Sequence, residues 1–165
     1  MDVYIEWRDI WLLDIEDVDQ EHKELVDLVN ELARRHHCAR RNNGDGRSDG
    51  SEILELLQQI GESVREHFRN EEACMLNAGY PGYEQHRYEH ITLLAEYAEF
   101  MREVHGEGPE CIDETTLDAL KGWLISHIAG ADRRFGDYYR STVTGVEQPR
   151  SDPFTRKWMR LASET

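Results

Sequence analysis

From Ile53 to Ala78 the apolar residues of this chain recur every three or four positions. Ile53, Leu56, Leu57, Ile60, Val64, Cys74 and Ala78 fall on one narrow arc of a 3.6-residue helix. Two polar residues, His67 and Glu71, share that arc. The same period returns elsewhere. His22 begins a stripe continued by Leu25, Val26, Val29, Leu32 and Ala33, while His86 and His90 begin one continued by Leu93, Tyr97, Phe100, Met101 and Val104. A last stripe of Leu117, Leu120, Leu124, Ala131 and Tyr138 encloses His127. The spacing predicts helices over about 20–37, 51–78, 83–105 and 113–139.

Local punctuation supports these bounds. Asp19 stands where the first helix needs an N-cap, and Asp113 or Thr115 where the last one does. Cys38 to Ser51 is rich in breakers, with Asn43-Gly44 and Asp49-Gly50 steps that mark a linker. Asp45 and Asp49 faintly suggest a calcium loop, but Arg47 would occupy a ligand position and Leu56 stands where the terminal bidentate Glu is required. Gly79 fits a left-handed helix terminus and Pro81 cannot continue the turn, so helices two and three should be antiparallel neighbours. Gly106 to Pro109 stops the third helix. The expected fold is all-α: an up-down-up-down four-helix bundle within residues 1–140, preceded by an extended arm (1–18) carrying Trp7, Trp11, Leu12, Leu13 and Ile15. Residues 141–165 are expected to leave the bundle as a C-terminal extension, with a short helix from about 153.

Composition narrows the function classes. The chain has 165 residues, enough for one domain with its own core. Its 19 Lys and Arg against 34 Asp and Glu give a net charge of -15, which repels phosphate backbones and anionic lipid, so nucleic acid is not an expected partner. Cys38, Cys74 and Cys111 are odd in number and far apart, which supports neither a disulfide framework nor a sulfur-rich zinc site. The N-terminus carries Asp2, Glu6 and Asp9 in place of a basic start and an apolar run, and no stretch approaches a membrane span. A cytoplasmic protein without membrane insertion is expected. In the extension, Phe154, Trp158 and Leu161 form an apolar strip among Arg150, Arg156, Lys157 and Arg160. That strip suits an acidic surface, either the bundle's own or that of a protein partner meeting residues 150–161.

The chemistry lies in the polar residues on the inner faces. His67 with Glu71 and His86 with His90 are each four residues apart, one turn above the other on a single face. His22, His127 and Asp132 complete a set of five histidines and two carboxylates spread over four helices. Burying them unpartnered would cost several kcal/mol, whereas metal ions satisfy all of them together. Imidazoles with carboxylates able to bridge favour a dinuclear transition-metal centre. Asp132 is the awkward member: five residues past His127, it lies about 140° around an ideal α-helix and must reach in from the side. Ala129, Gly130 and Ala131 leave room for this. His36, His37 and His105 fall near helix ends and read as solvated, Cys74 as a small buried hydrophobe, and Met75 and Tyr83 as core.

The segments D-x-x-H-K-E-L at Asp19 to Leu25, H-F-R-N-E-E at His67 to Glu72, Y-P-G-Y-E-Q-H-R-Y-E-H at Tyr80 to His90 and W-L-I-S-H-I-A-G-A-D at Trp123 to Asp132 resemble those of bacterial hemerythrins. The resemblance runs from Trp7 to about Tyr139 and fills every ligand position of that family. It implies two Fe ions joined by a bridging oxo or hydroxo group. His86, His90 and His127 would hold one iron and His22 and His67 the other, with Glu71 and Asp132 bridging. It also implies reversible O2 binding for transport, storage or delivery, no catalytic residues, and an apolar pocket wall at Trp123, Leu124 and Ile128. The competing readings are a di-iron enzyme acting on peroxide or nitric oxide and a stand-alone oxygen or redox sensor. Ferritin-like di-iron oxidases use Glu-x-x-His pairs, and this chain has none.

Overall fold

Helix α1 (Glu16–Arg41) begins earlier than its sequence cap suggests. Asp19 lies inside the first turn and reaches backward, its carboxylate accepting hydrogen bonds from the backbone N–H of Leu13 (2.7 Å) and Ile15 (3.2 Å). It satisfies backbone donors of the chain that leads into the helix, from within the first turn rather than as the N-cap. The computed structural model describes residues 3–41 and 47–144. Asp45 of the candidate calcium loop and the whole basic strip of residues 150–161 lie outside the described residues.

Helix α2 (Arg47–Asn77) also starts earlier than expected and takes Asp49-Gly50 into its first turn, where a missing intrahelical bond makes glycine tolerable. A Cβ at Gly50 would stand 3.0 Å from Pro109, so the glycine allows the α2 start to approach the turn at Pro109–Cys111. The far end of α2 closes as the sequence predicts. Gly79 has φ 65°, Tyr80 N–H donates to Met75 O and Gly79 N–H to Leu76 O, a complete Schellman arrangement. Helix α3 (Tyr83–Glu107) follows. Helix α4 (Glu114–His127) opens on an Asp113–Thr116 capping box, then runs through a π-helical turn at Ile128–Asp132 into α5 (Arg133–Tyr139) and a second π turn at Arg140–Thr144. The last rod of the bundle thus extends beyond the expected residue 139.

The protein is an all-α four-helix bundle, and no strand occurs among the described residues. The arm packs irregularly with one 3-10 turn at Asp9–Trp11, and it buries Ile5, Trp11, Leu13 and Ile15. Buried Arg140 ties it to the last helix by donating to Leu12 O (3.2 Å) and Asp14 (3.1 Å). Two apolar clusters fill the bundle: a long one including Leu25, Val64, Phe68, Leu124 and Ile128, and a short one of Leu13, Ile15, Val18, Met75 and Phe135. Between them lies a polar layer. Along α1 it falls between Val18 and Leu25, along α2 between Val64 and Met75, and along the last rod between Leu124 and Phe135.

Three readings of the sequence need correction. His36 is not solvated but 4% exposed, because α1 continues for another turn and the His22 stripe continues with it. His37 is half-buried and His105 exposed. Cys74 is half-buried, lying beside the short cluster rather than within the core. Met75 is fully buried, and Tyr83 packs against the same cluster.

Candidate metal centre

The polar layer holds His22, His67, Glu71, His86, His90, His127 and Asp132, with exposures from 0% for His22, Glu71 and Asp132 to 8% for His127. All seven residues singled out in the sequence converge there. They form two groups that could each hold a metal ion: Glu71, His86, His90, His127 and Asp132 in one, and His22, His67 and Asp132 in the other. Asp132 belongs to both. Its Oδ1 lies 3.0 Å from His86 Nε2 and 3.0 Å from His127 Nε2, while its Oδ2 lies 3.1 Å from His22 Nε2. Glu71 Oε2 faces His90 Nε2 at 3.2 Å and His86 Nε2 at 3.4 Å. His22 Nε2 and His67 Nε2 approach to 3.1 Å.

The π turn explains how Asp132 gets there. A π turn closes residue i on i+5, so an interval that would swing a side chain aside on an α-helix brings His127 and Asp132 to one face. Asp132 does not reach in from the side as the α-helical geometry requires.

Two carboxylates stay ionised in this dry layer. Burial and the Asp132 charge push the Glu71 carboxyl upward, but hydrogen bonds from His86 and His90 and the charge of His67 hold it at about 2. Burial also opposes ionisation of Asp132, and the charge and hydrogen bond of His127, with hydrogen bonds from His22 and His86, hold it well below the usual carboxylate range. The reciprocal effect appears on His86: burial disfavours its cation, yet hydrogen bonds to Asp132 and Glu71 raise it to about 10. The layer demands positive charge. Apart from these contacts with the surrounding imidazoles, both oxygens of Glu71, both of Asp132 and His90 Nε2 are buried and find no hydrogen-bond partner, and such a group costs about 1–3 kcal/mol if left unsatisfied. A cation ligated by these lone pairs satisfies them, so the donor set fits metal.

The match to known proteins decides the family. A profile of the hemerythrin HHE cation binding domain covers residues 13–139. The chain belongs to the hemerythrin family. Bacteriohemerythrin of Methylococcus capsulatus (strain ATCC 33009 / NCIMB 11132 / Bath) is 30% identical over 118 residues, 72% of this chain and 82% of that relative. Myohemerythrin of Theromyzon tessulatum is 23% identical over 130 residues, 79% of this chain and 89% of its own length. A crystal structure of wild-type hemerythrin superposes with a TM-score of 0.66 at 26% identity, covering 81% of this chain and 95% of that one. A leucine-to-alanine variant of hemerythrin superposes at 0.68 and 25% identity, covering 83% and 98%.

Two carboxylates support this hemerythrin layer from outside it. Glu21 Oε2 accepts from His67 Nδ1 (2.8 Å), and Glu72 Oε1 from His90 Nδ1 (2.9 Å). A carboxylate only accepts, so each proton sits on Nδ1 and each Nε2 lone pair points inward, the usual support of a metal-binding imidazole. Asn70 steadies Glu21 with a 2.6 Å hydrogen bond. Burial raises the Glu21 carboxyl, but the hydrogen bonds from His67 and Asn70 and the charges of His67 and His22 bring it below its ordinary value. Sequence reasoning missed Glu21 and Glu72. Each adjoins a candidate ligand in the chain, and adjacency is the one signal that could have found them.

Beside the layer is a cavity with about 10 Å³ of space for the centre of a water-sized sphere. Trp123, Leu124 and Ile128 line it, together with Leu25, Val64, Leu93 and Phe68, a residue the sequence did not single out. Phe68 stacks on His90 at 3.8 Å between ring centroids and meets His127 edge-on at 5.3 Å. His67, His127 and Asp132 close the polar side.

Proposed function

We propose that this chain binds O2 reversibly at a di-iron centre, for transport, storage or delivery, and is not an enzyme. In this reading His86, His90 and His127 would hold one iron and His22 and His67 the other, with Glu71 and Asp132 as the bridging carboxylates. When bound, two ferrous ions supply the two electrons that O2 accepts and returns.

The observation that carries the reading is the apolar-walled cavity that opens on His67, His127 and Asp132 of the polar layer. Three imidazoles converge on one side of Asp132 and two on the other, which leaves the second metal fewer protein ligands. His67 of that poorer group lines the cavity together with His127 and the shared Asp132, and the remaining walls are apolar. A volume of this order takes about one small molecule. Phe68, Leu124 and Ile128 exclude water, and water exclusion denies a bound oxygen the external protons that would make its release irreversible. Glu21 and Glu72 keep the imidazoles in the tautomer that offers Nε2. Three free cysteines fit a reducing compartment, so we place the protein in the cytoplasm. No helix among the described residues is long and apolar enough to cross a membrane.

The test is an optical titration of iron-loaded protein from anaerobic to aerobic conditions, followed by removal of O2. Coloration that returns to the starting spectrum over several cycles is expected. A one-way change with turnover of peroxide or nitric oxide would overturn the carrier reading in favour of an enzyme.

A further inference from the structure

His22 and His36 stand on the same face of α1, fourteen residues apart, which places His36 about 21 Å along the helix from the di-iron layer. His36 Nε2 lies 2.9 Å from the carbonyl oxygen of Ile112. A carbonyl only accepts, so the ring proton is on Nε2 and Nδ1 carries a lone pair. That Nδ1 is buried, has no hydrogen-bond partner, and belongs to a side chain that is 4% exposed. The nearest carboxylate oxygen is Glu114 Oε1, 3.9 Å away. The same oxygen lies 3.0 Å from His37 Nε2. One donor atom from each of the three residues comes within 4.8 Å of those of the other two.

We propose that His36 Nδ1, His37 Nε2 and Glu114 form a second cation site, separate from the di-iron layer, that takes one divalent transition ion of the zinc type. Donors about 2.1 Å from a tetrahedral zinc lie about 3.4 Å from one another. The observed 3.0 and 3.9 Å straddle that separation, so small side-chain rotations close the site. A histidine ligand whose other ring nitrogen donates to a backbone carbonyl is the arrangement that fixes tautomer and orientation in metal sites. Ile112, Asp113 and Glu114 are consecutive, so one loop both anchors the His36 ring and delivers the carboxylate. The Asp113–Thr116 capping box holds the backbone of that loop at the start of α4. Asp118, one turn further on, is taken by the hydroxyl of Tyr4 (2.6 Å), whose ring also meets His37 edge-on. Two imidazoles and a carboxylate leave a fourth position to water. The ion would join α1 to α4 and stabilise the bundle end. This does not depend on the O2 reading.

Iron-loaded full-length protein is titrated with Zn2+ by calorimetry while the iron absorption is followed. One zinc per chain is expected in addition to the iron, with the iron spectrum unchanged and a melting temperature that rises with zinc. His37→Ala and Glu114→Gln alter half-buried and exposed side chains and should fold normally. Removing a supporting partner of a metal ligand weakens binding about 10–100-fold, so each of these losses of a direct ligand should exceed about 100-fold. Co2+ gives a visible spectrum on the same site, and His36→Gln should abolish that spectrum. Zinc uptake that is equal in the parent and both variants, that displaces iron, or that is absent from the parent would overturn the proposal.

Discussion

His127 and Asp132 are five residues apart, yet His127 Nε2 lies 3.0 Å from Asp132 Oδ1 because the intervening turn is π-helical. The wide turn is a local device with a register consequence. Removing Gly130 shortens the interval to four, the spacing at which an ordinary α-helix already puts two side chains on one face, as His67 and Glu71 do. The single deletion is therefore expected to retain two irons per chain and to keep Phe135 buried. Removing Gly130 and Ala131 together rotates Asp132 away by about 100° and should leave at most one iron. Metal analysis of the two purified variants checks this, and equal loss of iron in both would show that the π geometry itself is required.

Asp132 is the residue whose two oxygens face the two histidine groups separately. Asp132→Asn keeps the shape and removes one negative charge from a layer with two carboxylates, and a neutral amide bridges poorly. The second iron should be lost, with disappearance of magnetic coupling between the ions. Glu71→Gln should behave alike, since Glu71 is equally buried. A variant retaining two coupled irons would remove that residue from the bridging role.

The seven candidate ligands were legible because helical periodicity maps sequence spacing onto a face, and each polar residue interrupts an apolar stripe that the structure buries. What escaped notice depends on the neighbouring helix. Glu21 reaches His67 from α1 to α2, and Glu72 reaches His90 from α2 to α3, contacts that no single-helix period encodes. His36 lay on the visible stripe and was lost only because α1 was ended too early. The π turn has no side-chain signature. Its trace is the misfit of Asp132 in an α-helical register, a place where local rule and function disagree.

Glu21→Ala and Glu72→Ala test the outer carboxylates. Each should weaken iron retention about 10–100-fold by freeing the ring of His67 or His90 to rotate or change tautomer. Competition with a chelator measures this. Glu24→Ala, which removes an exposed partner of Gln20, should leave retention unchanged. If all three variants behave alike, the outer carboxylates do not orient the ligands.

Burial pushes the Cys74 thiol up, and the charges of Glu71 and Asp17 add to the rise. Only the thiolate attacks an alkylating reagent, and a raised value leaves less of it near neutral pH. Cys74 should react with iodoacetamide more slowly than a free cysteine, and the difference should vanish in denaturant. Peptide mass mapping over time reads the rate, and rapid labelling in the folded protein would contradict the burial argument.

Leu124 is 6% exposed and lines the cavity beside His67 and His127, so its truncation acts on two quantities that can be separated. Leu124→Ala should lower stability by about 2–5 kcal/mol, the usual range for a buried leucine. It should also enlarge the cavity enough to admit water, and water supplies the protons that the apolar wall withholds. The oxygenated form is then expected to decay several-fold faster. Leu117 provides the comparison: it is 1% exposed and belongs to the same apolar cluster, but it does not line the cavity. Leu117→Ala should lose comparable stability with no change in decay rate. Equal acceleration in both variants would mean that general loosening of the bundle, and not the cavity wall, governs the lifetime of bound oxygen.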